Sequence, residues 1–504
     1  MFEFLFTPQM IAGFQSILTF TSILYMITGT ALGIIIGAIP GLSSSIGVIV
    51  LLPLTFYMET IHALVFLCSI YVSVIYGGSL TAILLNTPGT SESTATTFDG
   101  YQMTLQGKAS EAIGLAIGSS LIGGLISYVI LLYAMAPVAW FAIKFGPSEM
   151  FLVSLLGITI IASLREKTMS KTLLSGILGL LLGTIGISSK GDWRSTFGLI
   201  YLADGMPFLP PLIGLFAITE VFCLAERNFV VSKGKEGSQS VLKIMKGIVK
   251  VFKYPLTILR SSLMGTVIGA IPGAGATIAA FVGYNEAKRS SKHPEKYGTG
   301  YPDGIVAAEV ANNASTGGAL MTTMTLGIPG STTCAVIIAA FMLHGITPGP
   351  ALLRDQSTIV YGLIMALFVS QIFMVGMTII AGISFAKLLV LPTYILVPFI
   401  TLFCVIGSFS FRNATFDIYL TFIFGIIGWL MRKYDYSPVA LILGILLGPI
   451  ADSELIRIYT QFGNEFYLAF ITRPISLVLS ILLVLSIIRP YLQNMFLLRK
   501  KNKK

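Results

Sequence analysis

A hexapeptide that occurs twice constrains this chain more than any other feature. Ile36-Gly37-Ala38-Ile39-Pro40-Gly41 returns as Ile268-Gly269-Ala270-Ile271-Pro272-Gly273. Both copies end an apolar run that could cross a membrane. A second pair of blocks follows: Gly77-Gly78 leads to Pro88-Gly89-Thr90, and Gly317-Gly318 leads to Pro329-Gly330-Ser331. The register shift is 232 residues for the first pair and 240 to 241 for the second, with a polar insert near residues 286–302 absorbing the difference. The chain therefore reads as two related halves, each with two Pro-Gly breaks in apolar surroundings. That is the pattern of a secondary transporter, whose site lies where broken helices meet.

Composition places those breaks in lipid. Of 504 residues, 55% are hydrophobic and 11% are charged, and the mean hydropathy is +0.87. A soluble chain carries roughly 25% charged residues. Runs such as 13–39, 110–136, 172–188, 357–383 and 466–488 suit a bilayer that takes about 20 residues per helix. The expected fold is an all-α polytopic membrane protein of roughly 12 membrane segments plus re-entrant or half helices. Alternating strand patterns are absent, which excludes a β-barrel. The N-terminal stretch from Met1 to Pro8 has no basic region and no small-residue cleavage site, so the first helix is expected to insert directly. Cys68, Cys223, Cys334 and Cys404 lie far apart in apolar segments, as buried small hydrophobes rather than metal ligands or disulfide partners.

The net charge of +10 is clustered. Lys233, Lys235, Lys243, Lys246, Lys250 and Lys253 crowd one stretch. Arg165, Lys167 and Lys171 mark a second, Arg432 and Lys433 a third, and residues 499–504 a fourth. Basic loops of this kind stay cytoplasmic. The expected organisation is a first membrane repeat over 1–226, a basic cytoplasmic linker over 227–256 and a second repeat over 257–504. The next basic stretch, Glu286 to Lys296, lies one apolar run past the linker. Residues 257–285 therefore either enter and leave on one face as a hairpin broken at Pro272-Gly273, or cross once. Inverted and parallel repeats both remain open.

Proline removes a backbone donor and glycine frees the chain, and in hydrocarbon each unpaired polar group costs several kcal/mol. Such breaks persist where protein, water or a ligand satisfies them. Each is followed by small or hydroxyl residues able to open a new helix: Ser43, Ser44 and Ser45; Thr90 to Thr94; Ala274 to Thr277; Ser331, Thr332 and Thr333. Free N–H groups and positive helix ends would then face a cavity suited to carboxylates. The residues expected to bind substrate are Gly41, Ser43, Ser44, Ser45, Pro88, Gly89, Thr90, Gly273, Thr277, Gly330, Ser331 and Thr332.

Asparagines supply a second kind of group. Asn86 lies two residues before Pro88, and Asn312 and Asn313 precede Gly317-Gly318. Amide and unwound backbone carbonyls are hard oxygen ligands for sodium. Glu309 lies one turn before Asn313 on the same helix face and could bind a cation or relay protons. The expected ion-binding set is Gly77, Asn86, Asn312, Asn313, Gly317 and Glu309, with no metal beyond a possible sodium ion. His62 and His344 fall near helix ends, and Glu220 and Asp417 lie in apolar segments without an assigned role.

These residues resemble those of the large membrane subunit of tripartite tricarboxylate transporters. Pro302-Asp303-Gly304 leading through Glu309 to Asn312-Asn313-Ala314 is similar to that family's Pro-Glu-Gly…Glu…Ala-Asn-Asn-Ala signature. Leu326 to Thr333, Leu343 to Pro350 and Tyr76 to Thr90 continue the likeness. So do Phe145-Gly146-Pro147, Leu182 to Gly186, Leu212 to Ala217 and Phe470 to Ile475. The likeness covers nearly the whole chain, with Asp303 standing where the family has Glu and Asn464 where Asp is usual. It implies ion-gradient-driven symport of a tricarboxylate or dicarboxylate, with sodium or protons coupled and no other cofactor. It implies a small membrane subunit of four helices and an extracytoplasmic solute-binding protein as partners. It also implies the bacterial cytoplasmic (inner) membrane as location. Nothing argues for an enzyme: there is no phosphate loop and no His-Glu-x-x-His, and the chain has three His. Broken helices in paired halves favour alternating access over an open pore. The alternative is a stand-alone sodium–carboxylate symporter that needs no binding protein.

Overall fold

The computed structural model describes residues 7–164, 169–188, 190–226, 240–388 and 393–501. The expectations for the extreme N-terminus, Arg165, Lys167, Lys233, Lys235 and residues 502–504 fall outside these residues. The chain is helical almost throughout. In order the helices are α1 Pro8–Ile17, α2 Phe20–Gly37, α3 Ser44–Leu51, α4 Thr60–Leu85, α5 Thr94–Leu105, α6 Ala109–Ala142, α7 Pro147–Leu164 and α8 Met169–Gly183. Next come α9 Leu209–Ile213, α10 Thr219–Glu226, α11 Val241–Lys250, α12 Pro255–Ala270, α13 Gly275–Ser290, α14 Pro302–Leu326 and α15 Thr332–Leu343. The last are α16 Leu352–Asp355, α17 Ser357–Leu388, α18 Thr393–Arg412, α19 Thr415–Lys433, α20 Pro438–Phe462 and α21 Pro474–Lys501. A π turn over Gly214–Ile218 joins α9 to α10, and a two-residue hairpin pairs Gly186–Ile187 with Trp193–Arg194. Among the described residues seven helical segments are long and apolar enough to span a bilayer, and six shorter apolar helices accompany them. The protein is a multi-pass α-helical membrane protein.

Two compact units form, and each takes a piece from either half of the chain. Unit 1 comprises 1–139 and 220–411, and unit 2 comprises 140–219 and 412–504.

In unit 1, small residues let the broken helices press on the long ones. On α2, Gly29, Gly33 and Gly37 lie against the carbonyls of Phe66, Ile70 and Val74 of α4. On α12, Gly265 and Gly269 lie in the same way against Ala311 and Ser315 of α14. A β-carbon at any of these would collide with backbone, so the interface accepts glycine alone. The pairs keep the 232-residue shift on the short helices and a 241-residue shift on the long ones. Structurally, Gly77 therefore corresponds to Gly318: each abuts the short helix of its own repeat, at the Ile34 and Thr266 carbonyls respectively.

The first break of each repeat makes a hairpin. Leu256, Thr257 and Arg260 at the start of α12 share a cavity of about 300 Å³ with Glu286 and Ser290 at the end of α13 and with Tyr301 before α14. Residues 257–285 thus enter and leave on one side. In the first repeat Tyr25 near the start of α2 lies 5.7 Å from His62 near the start of α4, and α3 leads back to that end. The second break turns the chain back onto α4 about two turns before its end: Gly89 N–H donates to the Gly78 carbonyl (3.1 Å). The new helix α5 then rises again beside α4, with Thr104 Oγ1 donating to the Ile83 carbonyl (2.7 Å).

The long helices α4 and α14 run antiparallel. Ser79, near the end of α4, bonds Glu309, near the start of α14. Helices that correspond in sequence but run in opposite directions make the repeats of unit 1 inverted.

Unit 2 is organised around one close crossing. Gly179 and Gly183 of α8 meet Gly444 and Gly448 of α20, each glycine packed on backbone of the other helix, in a parallel Gly-x-x-x-Gly pair. Two ion pairs serve its helix starts. Buried Asp417 of α19 accepts from Arg412 (2.5 and 2.9 Å). Buried Glu149 of α7 accepts from Arg473 (2.8 Å), Ser476 (2.6 Å) and the Gly146 N–H (2.7 Å).

Candidate functional site

All four Pro-Gly tips belong to unit 1, and they interlock in pairs. The Gly41 N–H donates to the Gly89 carbonyl (3.2 Å), and at the corresponding place Gly273 donates to Gly330 (3.1 Å). Gly41 and Gly273 hold φ of +92° and +73°, the left-handed region that favours glycine. Gly89 and Gly330 are needed for a different reason, which is space. A β-carbon on Gly89 would run into the Gly37 carbonyl and the Gly78 α-carbon; on Gly330 it would meet Ala319 and the Gly269 carbonyl. The Gly41 and Gly273 donors thus find a carbonyl at the other break of their own repeat, while Gly89 donates to the Gly78 carbonyl and Gly330 to the Thr323 hydroxyl (3.3 Å).

Helix opening after the breaks follows the expected chemistry at two of the four. Ser43 caps α3 by accepting from the Ile46 N–H (3.4 Å), and Ser331 caps α15 by accepting from Cys334 (3.1 Å). Helix α13 opens at Gly275 with no side-chain cap, and a 3₁₀ turn over Ser91–Ser93 separates Thr90 from α5. The Thr90 hydroxyl is buried and makes no hydrogen bond.

The halves meet through hydroxyls. Ser44 Oγ lies 2.8 Å from Thr333 Oγ1 and donates to Glu92 Oε1 at 2.5 Å. Ser91 donates to the other oxygen of Glu92 (3.2 Å), and Thr277 donates to Ser91 (3.3 Å). Tyr71 of α4 reaches the Ser331 hydroxyl at 3.4 Å. Ser44, Ser91, Glu92, Thr277 and Thr333 therefore connect all four breaks through one polar network, in which Ser44 and Thr277 were expected; Ser331 pairs with Tyr71 and caps α15 apart from it. Ser45 pairs with Ser43 (2.9 Å) beside it. Pro88 and Thr332 are half-buried on the tips. Sequence reasoning assigned no binding role to Glu92, Tyr71 or Thr333. A lone acid among the hydroxyls of Thr90 to Thr94 is the signal that could have singled out Glu92.

The second cluster surrounds Glu309, which is wholly buried. One carboxylate oxygen accepts from Ser79 of α4 (2.6 Å) and Thr96 of α5, and the other accepts from Ser120 of α6 (3.0 Å). Asn313 donates to Ser120 (2.8 Å) and to the Glu309 carbonyl (3.2 Å), leaving its own side-chain oxygen without a partner. Asn312 is fully buried with neither amide atom hydrogen-bonded. Those free amide oxygens suit a hard cation. Asn86 is elsewhere: exposed, with a left-handed φ of 54° at the end of α4, it lines an open cleft of about 670 Å³ with Phe98, Gln102, Tyr284 and Lys288. Gly317 packs on Ser127 of α6. Cys68, Cys334 and Cys404 are buried and Cys223 half-buried, and among the described residues none is in a disulfide. Among the described residues no group of three or more His, Cys, Asp or Glu is placed to hold a metal.

One further pin joins the halves. Asp99 of α5 accepts from the Gly298, Gly300 and Tyr301 N–H groups (2.9, 2.8 and 2.7 Å) and from the Tyr284 hydroxyl (2.9 Å). The polar insert of the second half is thereby wrapped around an acid of the first.

Inverted repeats, re-entrant tips and a buried polar network at their meeting point define a membrane protein of the transporter class. The chain belongs to the tripartite tricarboxylate transporter TctA family, whose model matches residues 23–443. It is 34% identical over 466 residues to an uncharacterised 52.8 kDa protein of the TAR-I ttuC' 3' region of Agrobacterium vitis, covering 92% of each chain. It is 33% identical over 212 residues to an uncharacterised protein of the TAR-II ttuC' 3' region of the same organism, covering 42% of this chain and 87% of that one. No solved structure matches.

Proposed function

We propose that this chain is the translocating subunit of a secondary carboxylate transporter. It would carry a tricarboxylate or dicarboxylate across the cytoplasmic membrane of a bacterium, driven by an ion gradient. An extracytoplasmic solute-binding protein would deliver the substrate, and a small four-helix membrane subunit would complete the complex. The observation that carries this reading is the pairing of tips, Gly41 with Gly89 and Gly273 with Gly330, linked by the Ser44–Thr333 contact. A carboxylate bound there meets helix starts from both halves, and each helix end contributes about half a unit charge. Sodium is assigned to the Asn312, Asn313 and Glu309 region, where unpartnered amide oxygens are buried.

The test is uptake of labelled di- and tricarboxylates by the reconstituted complex, with and without its binding protein and with and without an imposed sodium or proton gradient. Saturable uptake that needs both the gradient and the binding protein is the expected result. Uptake that needs the gradient alone would establish the stand-alone symporter instead. An ungated, non-saturating conductance would sink both.

A further inference from the structure

We propose that Glu92 binds the cation whose arrival permits carboxylate loading, so that this residue couples the two fluxes. The inference rests on the reading of the Pro-Gly tips as an anion site. Glu92 is 7% exposed and lies three residues after Gly89, at the junction of the two halves. One of its oxygens is held by Ser44, the first residue of α3, and the other by Ser91. Ser44 is itself in contact with Thr333 of α15. A fixed negative charge thus sits inside the network that the substrate's carboxylates must enter.

Among the described residues no side chain forms an ion pair with it. Helices α3 and α15 carry no Asp, Glu, Lys, Arg or His. On α13, which reaches Ser91 through Thr277, the charged residues Glu286, Lys288 and Arg289 all lie in the last two turns. Asp99 on α5 is occupied by its own clamp of backbone donors, and Glu309, bonded to Thr96 one turn along from Glu92, is another acid rather than a counter-ion. The titratable groups nearest the tips from α4 and α15, Tyr71 and Cys334, are neutral near pH 7.

Two like charges in a water-poor site repel strongly, and a cation between them reverses the sign of the interaction. The network around it supplies oxygen donors: the Glu92 carboxylate and the Ser44, Ser91 and Thr333 hydroxyls. That is a donor set for sodium, and equally a hydrogen-bonded seat for a protonated carboxyl. In either form the acid opposes the substrate when bare and accepts it when neutralised. Cation and carboxylate then bind as a pair, and each raises the other's affinity by the same factor.

The experiment uses the reconstituted complex and measures the carboxylate concentration for half-maximal counterflow across a range of cation concentrations. One arm varies sodium at fixed pH, and the other varies pH without sodium. In the wild-type protein one arm is expected to improve substrate affinity by about tenfold or more, the scale of a coupling near 1.4 kcal/mol. That arm names the cation. In Glu92→Gln, which keeps the shape and removes the charge, the dependence should flatten and gradient-driven accumulation should fail. Glu92→Asp should retain a dependence in the same arm. A Glu92→Gln protein with the wild-type cation dependence overturns the proposal. So does one that loses counterflow altogether while Glu92→Asp loses it too, since that outcome assigns Glu92 to structure. A wild-type complex that moves no carboxylate under any gradient strikes instead at the transporter reading on which the proposal stands.

Discussion

The two repeats of unit 1 share a backbone and differ in chemistry. The tip bonds Gly41–Gly89 and Gly273–Gly330 match to 0.1 Å, and the glycine ladders of α2 on α4 and α12 on α14 follow one plan. The side chains at corresponding positions do not match. Glu92 of the first repeat corresponds to Thr333 of the second, Ser44 to Ala276, Cys68 to Glu309, and Tyr71 to Asn312. Backbone donors and helix ends, which recognise any anion, come from both halves equally. Acids and free amide oxygens, which recognise cations, come from one half at each place. An inverted scaffold lets the two halves exchange roles during a transport cycle, whereas a single substrate and its co-ions have no such symmetry. The comparison teaches that the scaffold carries the repeat and the site departs from it.

The strongest test of the shared scaffold is to fill its tips. Leucine at Gly41, Gly89, Gly273 or Gly330 is expected to abolish uptake, whichever half it occupies. Position 89 should be the most damaging, because its β-carbon would stand closer to the Gly37 carbonyl oxygen than the 2.5 Å nearest approach at position 330. Overpacking there costs roughly 1–3 kcal/mol or more. Near-normal uptake by one variant with loss in its counterpart of the other half, 41 against 273 or 89 against 330, would break the equivalence of the halves.

The next effect belongs to one half alone. Glu309→Ala removes the acceptor of three buried hydroxyls, Ser79, Thr96 and Ser120. Leaving them unpaired costs on the order of 3 kcal/mol, and the cation site proposed there would go with it. Uptake should vanish and the melting temperature in detergent should fall. The corresponding Cys68→Ala loses one buried sulfur and should cost about 1 kcal/mol with transport retained. Equal losses at 68 and 309 would contradict the asymmetry.

A smaller effect separates fold from coupling. Asn312 spends burial on an amide with no partner, so Asn312→Ala should change stability by less than about 1 kcal/mol. It should nevertheless raise the sodium needed for half-maximal uptake. Asn313→Ala should raise it too, and at saturating sodium the substrate affinity should be close to wild type. If substrate affinity collapses and sodium dependence stays put, the asparagines hold substrate. Tyr71→Phe, at the place corresponding to Asn312, should leave sodium dependence alone.

Much of this was legible in the sequence because breaks are written in proline and glycine. The repeat, the four tips, the capping serines at 43 and 331 and the burial of Asn312, Asn313 and Glu309 all follow from residue type in an apolar setting. The hairpin over 257–285 stayed open because charge flanks constrain topology without fixing path; the meeting of Leu256 with Ser290 fixes it. The Gly-Gly blocks misled by one residue, since Gly77 matches Gly318 through its neighbour on the short helix and not through the identity of the pair. Inversion was hidden because helix direction leaves no trace in composition. Glu92 was passed over because a site read as a place for anions drew attention to hydroxyls and away from an acid. Asn86, whose amide reads as a ligand, lies apart from Asn312 and Asn313, in a left-handed turn at a helix end where asparagine is favoured for its backbone.

The smallest expected effect gives the finest reading of the comparison. Gly41 and Gly273 share a left-handed backbone, and nothing lies within 4 Å of where a Gly41 β-carbon would stand. Alanine at position 41 therefore meets only the conformational penalty, about 1–2 kcal/mol. The Gly41 N–H still reaches the Gly89 carbonyl, so the tip stays closed and uptake should fall by a few-fold at most. Gly273→Ala should behave alike, because the same bond to Gly330 and the same sign of φ hold it. Thermal unfolding of the two variants side by side measures this directly. Matched small losses mean that the two tips are one structure used twice. A loss at 273 several-fold larger than at 41 would mean that the second tip bears packing the first does not, and the equivalence would then hold for the hydrogen bond and fail for its surroundings.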